Sequence, residues 1–162
     1  MEQRRNRWQT FGLPETGNGW QSAIIIPSSH PTDGEAMPGP FIFIATNRLK
    51  PGKLADERRR VPDLVDFIQA NEPRLLAFNE YANAEGTEVA VVQIHPDADS
   101  MVFHMELIAE RAASAYAETI EATTSIQVLG APTDIITEML RQQAGAGVPS
   151  RIKPNHLGGF TR

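Results

Sequence analysis

An α+β sandwich of order β-α-β-β-α-β is what this sequence predicts, on three observations. Three runs place apolar residues as strands do: 41-FIFIATNRL-49, 74-RLLAFNEYA-82 and 87-TEVAVVQIH-95. Helical stripes follow the first and the third of them, at 53–72 and 101–121. The second and third are separated only by 83-NAEG-86, a hairpin spacing in which Asn83 and Gly86 supply the turn. With a last strand at 124-TSIQVLG-130, this is the split pattern of a ferredoxin-like sandwich, both helices on one sheet face.

The elements follow in order. Alternation puts Phe41, Phe43, Ala45 and Asn47 on one face of the first strand and Ile42, Ile44, Thr46 and Arg48 on the other. Pro51-Gly52 ends it as a turn. In the first helix Leu54, Val61, Leu64, Val65 and Ile68 share a stripe. Pro62 removes a backbone donor there and predicts a kink, or two helices in tandem. Arg58, Arg59 and Arg60 stand among Asp56, Glu57 and Asp63 and read as a solvated face. Asp99 or Ser100 is the expected cap of the long helix, whose stripe is Met101, Met105, Ile108, Ala112, Ala115 and Tyr116. Phe103 and Leu107 project away from that stripe. Beyond Pro132 a short helix carries Ile135, Ile136, Met139 and Leu140, and 148–162 reads as an extended tail.

Three parts are expected: an extended arm over 1–40, the sandwich over 41–132, and a C-terminal helix and tail over 133–162 packing on the same domain. The arm holds Trp8, Trp20 and Ile24 to Ile26 among many turn formers, more apolar surface than a free linker needs. The strands are apolar on both faces, so the sheet needs a cover on both. A second copy of the same sheet is the simplest second cover, which predicts a face-to-face homodimer.

Composition narrows the function classes. The chain has 162 residues, 41% hydrophobic and 22% charged, as a globular domain has. A net charge of −5 argues against a nucleic-acid partner, even with Arg4, Arg5 and Arg7 near one end. With no cysteine there is no disulfide, thiolate nucleophile or cysteine-held metal, which fits a reducing, cytoplasmic setting. No apolar run approaches the ~20 residues that span a bilayer, and no signal-peptide core follows the arginines. Phosphate loops, nucleophile elbows and His-Glu-x-x-His patterns are missing, and Ser28-Ser29-His30 has no carboxylate the sequence can vouch for.

Three motifs carry a resemblance. Lys50-Pro51-Gly52-Lys53 follows the first strand, 93-QIHPDADSMVFHM-105 crosses into the long helix with a histidine near its start, and 126-IQVLGAP-132 closes the last strand. Their order and spacing over 41–132 resemble the antibiotic-biosynthesis-monooxygenase family of the dimeric α/β-barrel superfamily. The resemblance implies a homodimer whose sheets pack into a barrel, with a cavity between sheet and helices in each subunit. It also implies oxidation of polycyclic phenolic substrates without metal or flavin, or haem degradation, as in members of known chemistry. Asn47-Arg48-Leu49 resembles the Asn-Arg-Leu of the haem-degrading members. Their iron-binding helical histidine falls about ten residues beyond His104, where 111-RAASAY-116 has none, so no haem and no other cofactor is expected.

The candidate catalytic residues are therefore Asn47 and His104. Asn47 would set an amide in an apolar cavity wall, where it binds a carbonyl or an iron-bound ligand. The plainer account is a strand-end asparagine bonded to the turn backbone. His104 would be the general base that takes a phenolic proton. Against this stands a boundary histidine that packs its ring. Tyr81, Tyr116 and His95 are candidate substrate contacts, the tyrosines also fitting core-edge positions. His95-Pro96-Asp97-Ala98-Asp99 reads as helix capping, and no metal is expected there. The expected function is a cofactor-independent monooxygenase acting on an aromatic or polyketide-like small molecule. The alternative is a non-catalytic dimeric module that binds a small ligand or serves assembly. The tail 156-HLGGF-160 is expected to dock Leu157 and Phe160 on the body or across the dimer.

Overall fold

The structure, a computed structural model, describes residues 39–161. Apart from Gly39 and Pro40, the arm expected over 1–40 lies outside the described residues. Strand β1 spans Phe41–Leu49, helix α1 Leu54–Asn71, β2 Ala77–Ala82, β3 Glu88–His95, α2 Ala98–Glu118, β4 Ile120–Leu129, α3 Asp134–Gly145 and β5 Ser150–Lys153. The sheet order is β2-β3-β1-β4-β5, antiparallel except for β5, which lies parallel to β4. The first four strands and two helices are the ferredoxin-like unit. The tail expected to be merely extended supplies a fifth strand, with Ile126 paired to Ser150 and Leu129 to Lys153.

Strand β4 begins four residues earlier than alternation predicts, because two bulges interrupt its pattern. Thr46 pairs with Ser125 but Asn47 with Thr123, and Arg48 with Ala122 but Leu49 with Ile120. A bulge adds a residue and turns the next side chain to the other face. The first therefore brings Thr123 to the face of Asn47, and the second brings Ile120 beside buried Leu49.

Pro62 does not divide α1, which is continuous. The carbonyl it leaves without an intrahelical donor belongs to Arg58, an exposed residue. The α2 cap is Asp97 and not Asp99 or Ser100: its Oδ1 accepts from the Ser100 N–H at 2.8 Å. Thr133 caps α3 in the same way, accepting from the Ile136 N–H at 3.3 Å. The inner sheet face packs Phe41, Phe43, Ile126 and Val128 against Met101 and Met105 of α2 and Ile136, Met139 and Leu140 of α3. On the opposite face Ile42, Ile44, Val92 and Ile94 are only half-buried. Leu157 and Phe160 are 98% and 82% exposed. Among the described residues no helix is long and apolar enough to cross a membrane.

Candidate functional site

Between the sheet and the helices lies a cavity of about 110 Å³. Its sheet wall is built from inward positions of four strands: Phe43, Ala45 and Asn47 of β1, Phe78 and Glu80 of β2, Val91 and Gln93 of β3, and Thr123 and Ile126 of β4. Opposite them stands the whole α2 stripe from Met101 to Tyr116, with His104 among it. Asn47 and His104 thus line one cavity. An engineered cavity of about 150 Å³ holds benzene, so this one suits a compact molecule, with Met101, Met105 and Met139 as yielding wall groups.

His104 is fully buried, and its Nδ1 lies 2.5 Å from Oε1 of Glu72, whose side chain is 1% exposed. Glu72 is held as the C-terminal cap residue of α1 by its own N–H, bonded to the Ile68 carbonyl at 2.8 Å. A carboxylate that accepts from Nδ1–H fixes the ring and its tautomer and leaves Nε2 as the basic nitrogen. That Nε2 is buried and has no hydrogen-bond partner. Phe78 and His95 hold the ring from two sides, at centroid distances of 5.9 and 5.5 Å.

His95 itself is not in the cavity wall. Its Nδ1 lies 3.2 Å from the Ser100 hydroxyl and its Nε2 3.4 Å from the Gln93 amide oxygen. Burial, with the neighbouring His104, depresses it to about 3, so it stays neutral and serves His104 as packing. Tyr81 is 61% exposed on the outer sheet face, away from the cavity. Tyr116 lines the cavity, and its hydroxyl is bonded to that of Thr123, which donates to Asn47 Oδ1 at 2.8 Å. With its carbonyl taken, Asn47 keeps its two amide N–H groups as remaining donors. Its partner is thus a side chain on β4 and not the turn backbone. Burial pushes the Tyr116 phenol up, against the opposing effect of its bond to Thr123.

Two further groups in the wall had no place among the candidates. Glu80 of β2 has a side chain only 4% exposed, and its carboxyl is hydrogen-bonded to that of Glu57. Arg60 stands 3.9 Å from it but is engaged by Glu57, with contacts of 3.1 Å and 2.5 Å. The arginine run is therefore not one solvated face: Arg58 and Arg59 are exposed, whereas Arg60 is part-buried and pairs with the buried Glu57. Burial opposes ionisation of Glu57, yet the bonds from Arg60 and Thr119 hold its carboxyl below the usual range. Burial, then the hydrogen bond to Glu57 and the charge of that carboxylate, pushes Glu80 up to about 8. One guanidinium thus balances one carboxylate, and Glu80 holds its proton at neutral pH. Phe78 and Glu80 alternate on one strand face, and that carboxyl next to an inward phenylalanine was the signal available in the sequence. Glu72 gave none, since it reads as a helix end. Among the described residues no three His, Asp or Glu side chains converge as a metal's ligand set.

Against solved structures, the chain is similar to MupZ from Pseudomonas fluorescens, at a TM-score of 0.59 and 15% identity over 76% of this chain and 95% of that one. The two share a fold. PA3566 from Pseudomonas aeruginosa aligns with 58% of this chain and 95% of its own, at TM-score 0.49 and 17% identity. A protein named antibiotic biosynthesis monooxygenase aligns with 57% of this chain and 99% of its own, at TM-score 0.48 and 18% identity. Other structures bearing that name are also among the matches, at TM-scores of 0.45 to 0.49. No family model and no curated protein sequence matches the chain.

Proposed function

We propose that this protein is a cofactor-independent monooxygenase-like enzyme acting on a compact aromatic or polyketide-like molecule, with His104 as the base and Asn47 as the orienting amide. One observation carries the reading: a buried imidazole, backed by a carboxylate at Nδ1 and unpartnered at Nε2, shares a cavity with Asn47. His104 takes the substrate's acidic proton, and the amide N–H groups of Asn47 hold the oxygen on which negative charge develops. The electron-rich anion then reacts with dioxygen. A methylene beside the activating group becomes a carbonyl, one oxygen atom enters the product, and the other leaves as water.

The test is oxygen uptake with one-ring phenols and 1,3-diketones. His104→Gln keeps a donor for Glu72 but loses the base, and uptake is expected to fall about 10²–10⁴-fold. Asn47→Ala is expected to lower it about 10²-fold. Uptake indifferent to both variants overturns the reading, and ligand binding without uptake favours a non-catalytic binding module.

The same proposal includes a homodimer through the outer sheet face. Ile42, Ile44, Val92 and Ile94 form a half-exposed apolar set there, and each such side chain contributes about 1.5–3 kcal/mol when fully buried. Light scattering at micromolar concentration is expected to give twice the chain mass, and Ile44→Glu to give the single mass. A monomeric wild type would sink this part.

A further inference from the structure

Two carboxyls and one guanidinium meet at the cavity wall. Arg60 stands 2.5 Å from Glu57 and 3.9 Å from Glu80, and both Arg60 and Glu80 line the cavity. The side chains of Glu57 and Glu80 are 2% and 4% exposed, so neither charge is relieved by water. One positive charge is lacking for two carboxylates. A proton shared between Glu57 and Glu80 supplies it.

That shared proton leaves one acceptor over. A hydrogen bond between two carboxyls engages one oxygen of each, and the second Glu80 oxygen is buried with no partner among the described residues. Unpartnered buried polar atoms are uncommon in folded proteins, and this one belongs to a residue of the cavity wall. It asks for a donor from the cavity side. The rest of the wall says which donor suits. Phe43, Phe78 and Tyr116 present aromatic rings, whose faces attract a cation. Phe78 lies two residues along β2 from Glu80, about 7 Å by strand rise. Arg60 is the one fixed cation among the lining residues, and Glu57 engages it. A volume of about 110 Å³ admits a body of a few carbons.

We propose that the cavity takes a compact primary amine as its ammonium ion, bound to the Glu80 carboxylate, the ligand's charge replacing the proton that Glu57 and Glu80 otherwise share. On binding, Glu80 ionises and its proton passes to solvent, while no covalent bond of the ligand changes. Two carboxylates then face one guanidinium and one ammonium. A neutral alcohol of the same size leaves the shared proton in place and gains no ionic partner. Burial, then the bond to Glu57 and its charge, keep the proton on Glu80 up to about 8, so the amine binds more tightly as pH rises toward that value. The charged or titratable groups around the site are Glu57 and Arg60 on α1 and His104, Tyr116 and Glu118 on α2, the last acting through Arg60. The proposal goes beyond the oxygenase reading and does not rest on it, since no step uses His104 as base.

The experiment is titration calorimetry of the full-length protein with butylamine and with 1-butanol. Butylamine is expected to bind about tenfold or more tightly than the alcohol. It is also expected to release about one proton, read from the enthalpies in phosphate and Tris buffers, and to gain up to about tenfold in affinity per pH unit from 6 to 8. Glu80→Gln keeps the shape without the charge and is expected to lose about 10–10²-fold of amine affinity, the scale of a hydrogen bond to a charged group. Glu57→Gln leaves one carboxylate for one guanidinium, and its amine binding is expected to release no proton. Thermal unfolding confirms that each variant is folded. Equal affinity for amine and alcohol, or no binding of either, overturns the inference. So does an amine preference that survives Glu80→Gln, which puts the cation elsewhere, or wild-type amine binding without proton release. Oxygen uptake is scored separately with phenols and diketones, so failure of either reading leaves the other standing.

Discussion

His104→Ala is expected to destabilise the protein by about 3–5 kcal/mol in urea unfolding, the scale seen when a buried carboxylate is left without the group that compensates it. Glu72 explains the size. Its Oε2 already lacks a hydrogen bond, and its Oε1 depends on His104 Nδ1 at 2.5 Å. Without the ring, a carboxyl that is 1% exposed has neither water nor donor. Domains of this size have a total stability of about 5–15 kcal/mol, so the loss is a large fraction. The double variant Glu72→Met, His104→Leu replaces the pair by apolar groups of similar volume and is expected to recover most of it. A double variant no more stable than His104→Ala would show that the loss comes from the cavity left behind and not from the orphaned charge.

Stability is expected to be nearly level between about pH 4.5 and 6.5 and to fall from 6.5 to 8. Glu80 and His95 set those limits. The folded chain holds the Glu80 proton up to about 8, whereas the unfolded chain releases it near 4.5. Its contribution is full below 4.5 and is lost as pH rises through 8. His95 acts in the opposite sense. The unfolded chain protonates it near 6.5 and the fold refuses the proton down to about 3, so its contribution is full above 6.5 and lost as pH falls through 3. In the shared window the two slopes cancel. Above 6.5 only Glu80 remains, at a cost on the order of a few kcal/mol by pH 8. Glu80→Gln is expected to abolish that alkaline decline in thermal melts. A decline of unchanged size in the variant would assign it to another group.

Much of this was legible in the sequence, because the ferredoxin-like order depends on patterns that survive in one dimension. The alternation of Phe41, Phe43, Ala45 and Asn47 and the stripe from Met101 to Tyr116 both face the cavity. The hairpin at Asn83 also follows from composition: its side-chain oxygen accepts from the Thr87 and Glu88 N–H groups at 2.9 and 3.0 Å. Residues 120–123 were not legible as strand, since bulges break the period that identifies one. Glu72 and His104 are 32 residues apart, and pairing over that separation leaves no local trace. The part-buried Glu57–Arg60 pair is local, but its spacing is equally that of a solvated helix surface. Tyr81 falls at an outward position of strand β2, whereas Tyr116 falls on the inward stripe of helix α2.

The fifth strand bears on how the molecule survives at high concentration. A sheet that ended at β4 would offer a ten-residue edge of unpaired N–H and C=O groups, Ile120 to Leu129. Such edges template edge-to-edge aggregation. Strand β5 replaces part of it with a border of only four residues, Ser150–Lys153, carrying Arg151 and Lys153. Short length and positive charge are two of the devices by which sheet proteins discourage pairing with a neighbour. Removing residues from Ser150 onward would uncover the longer border, and loss of solubility should then precede loss of fold.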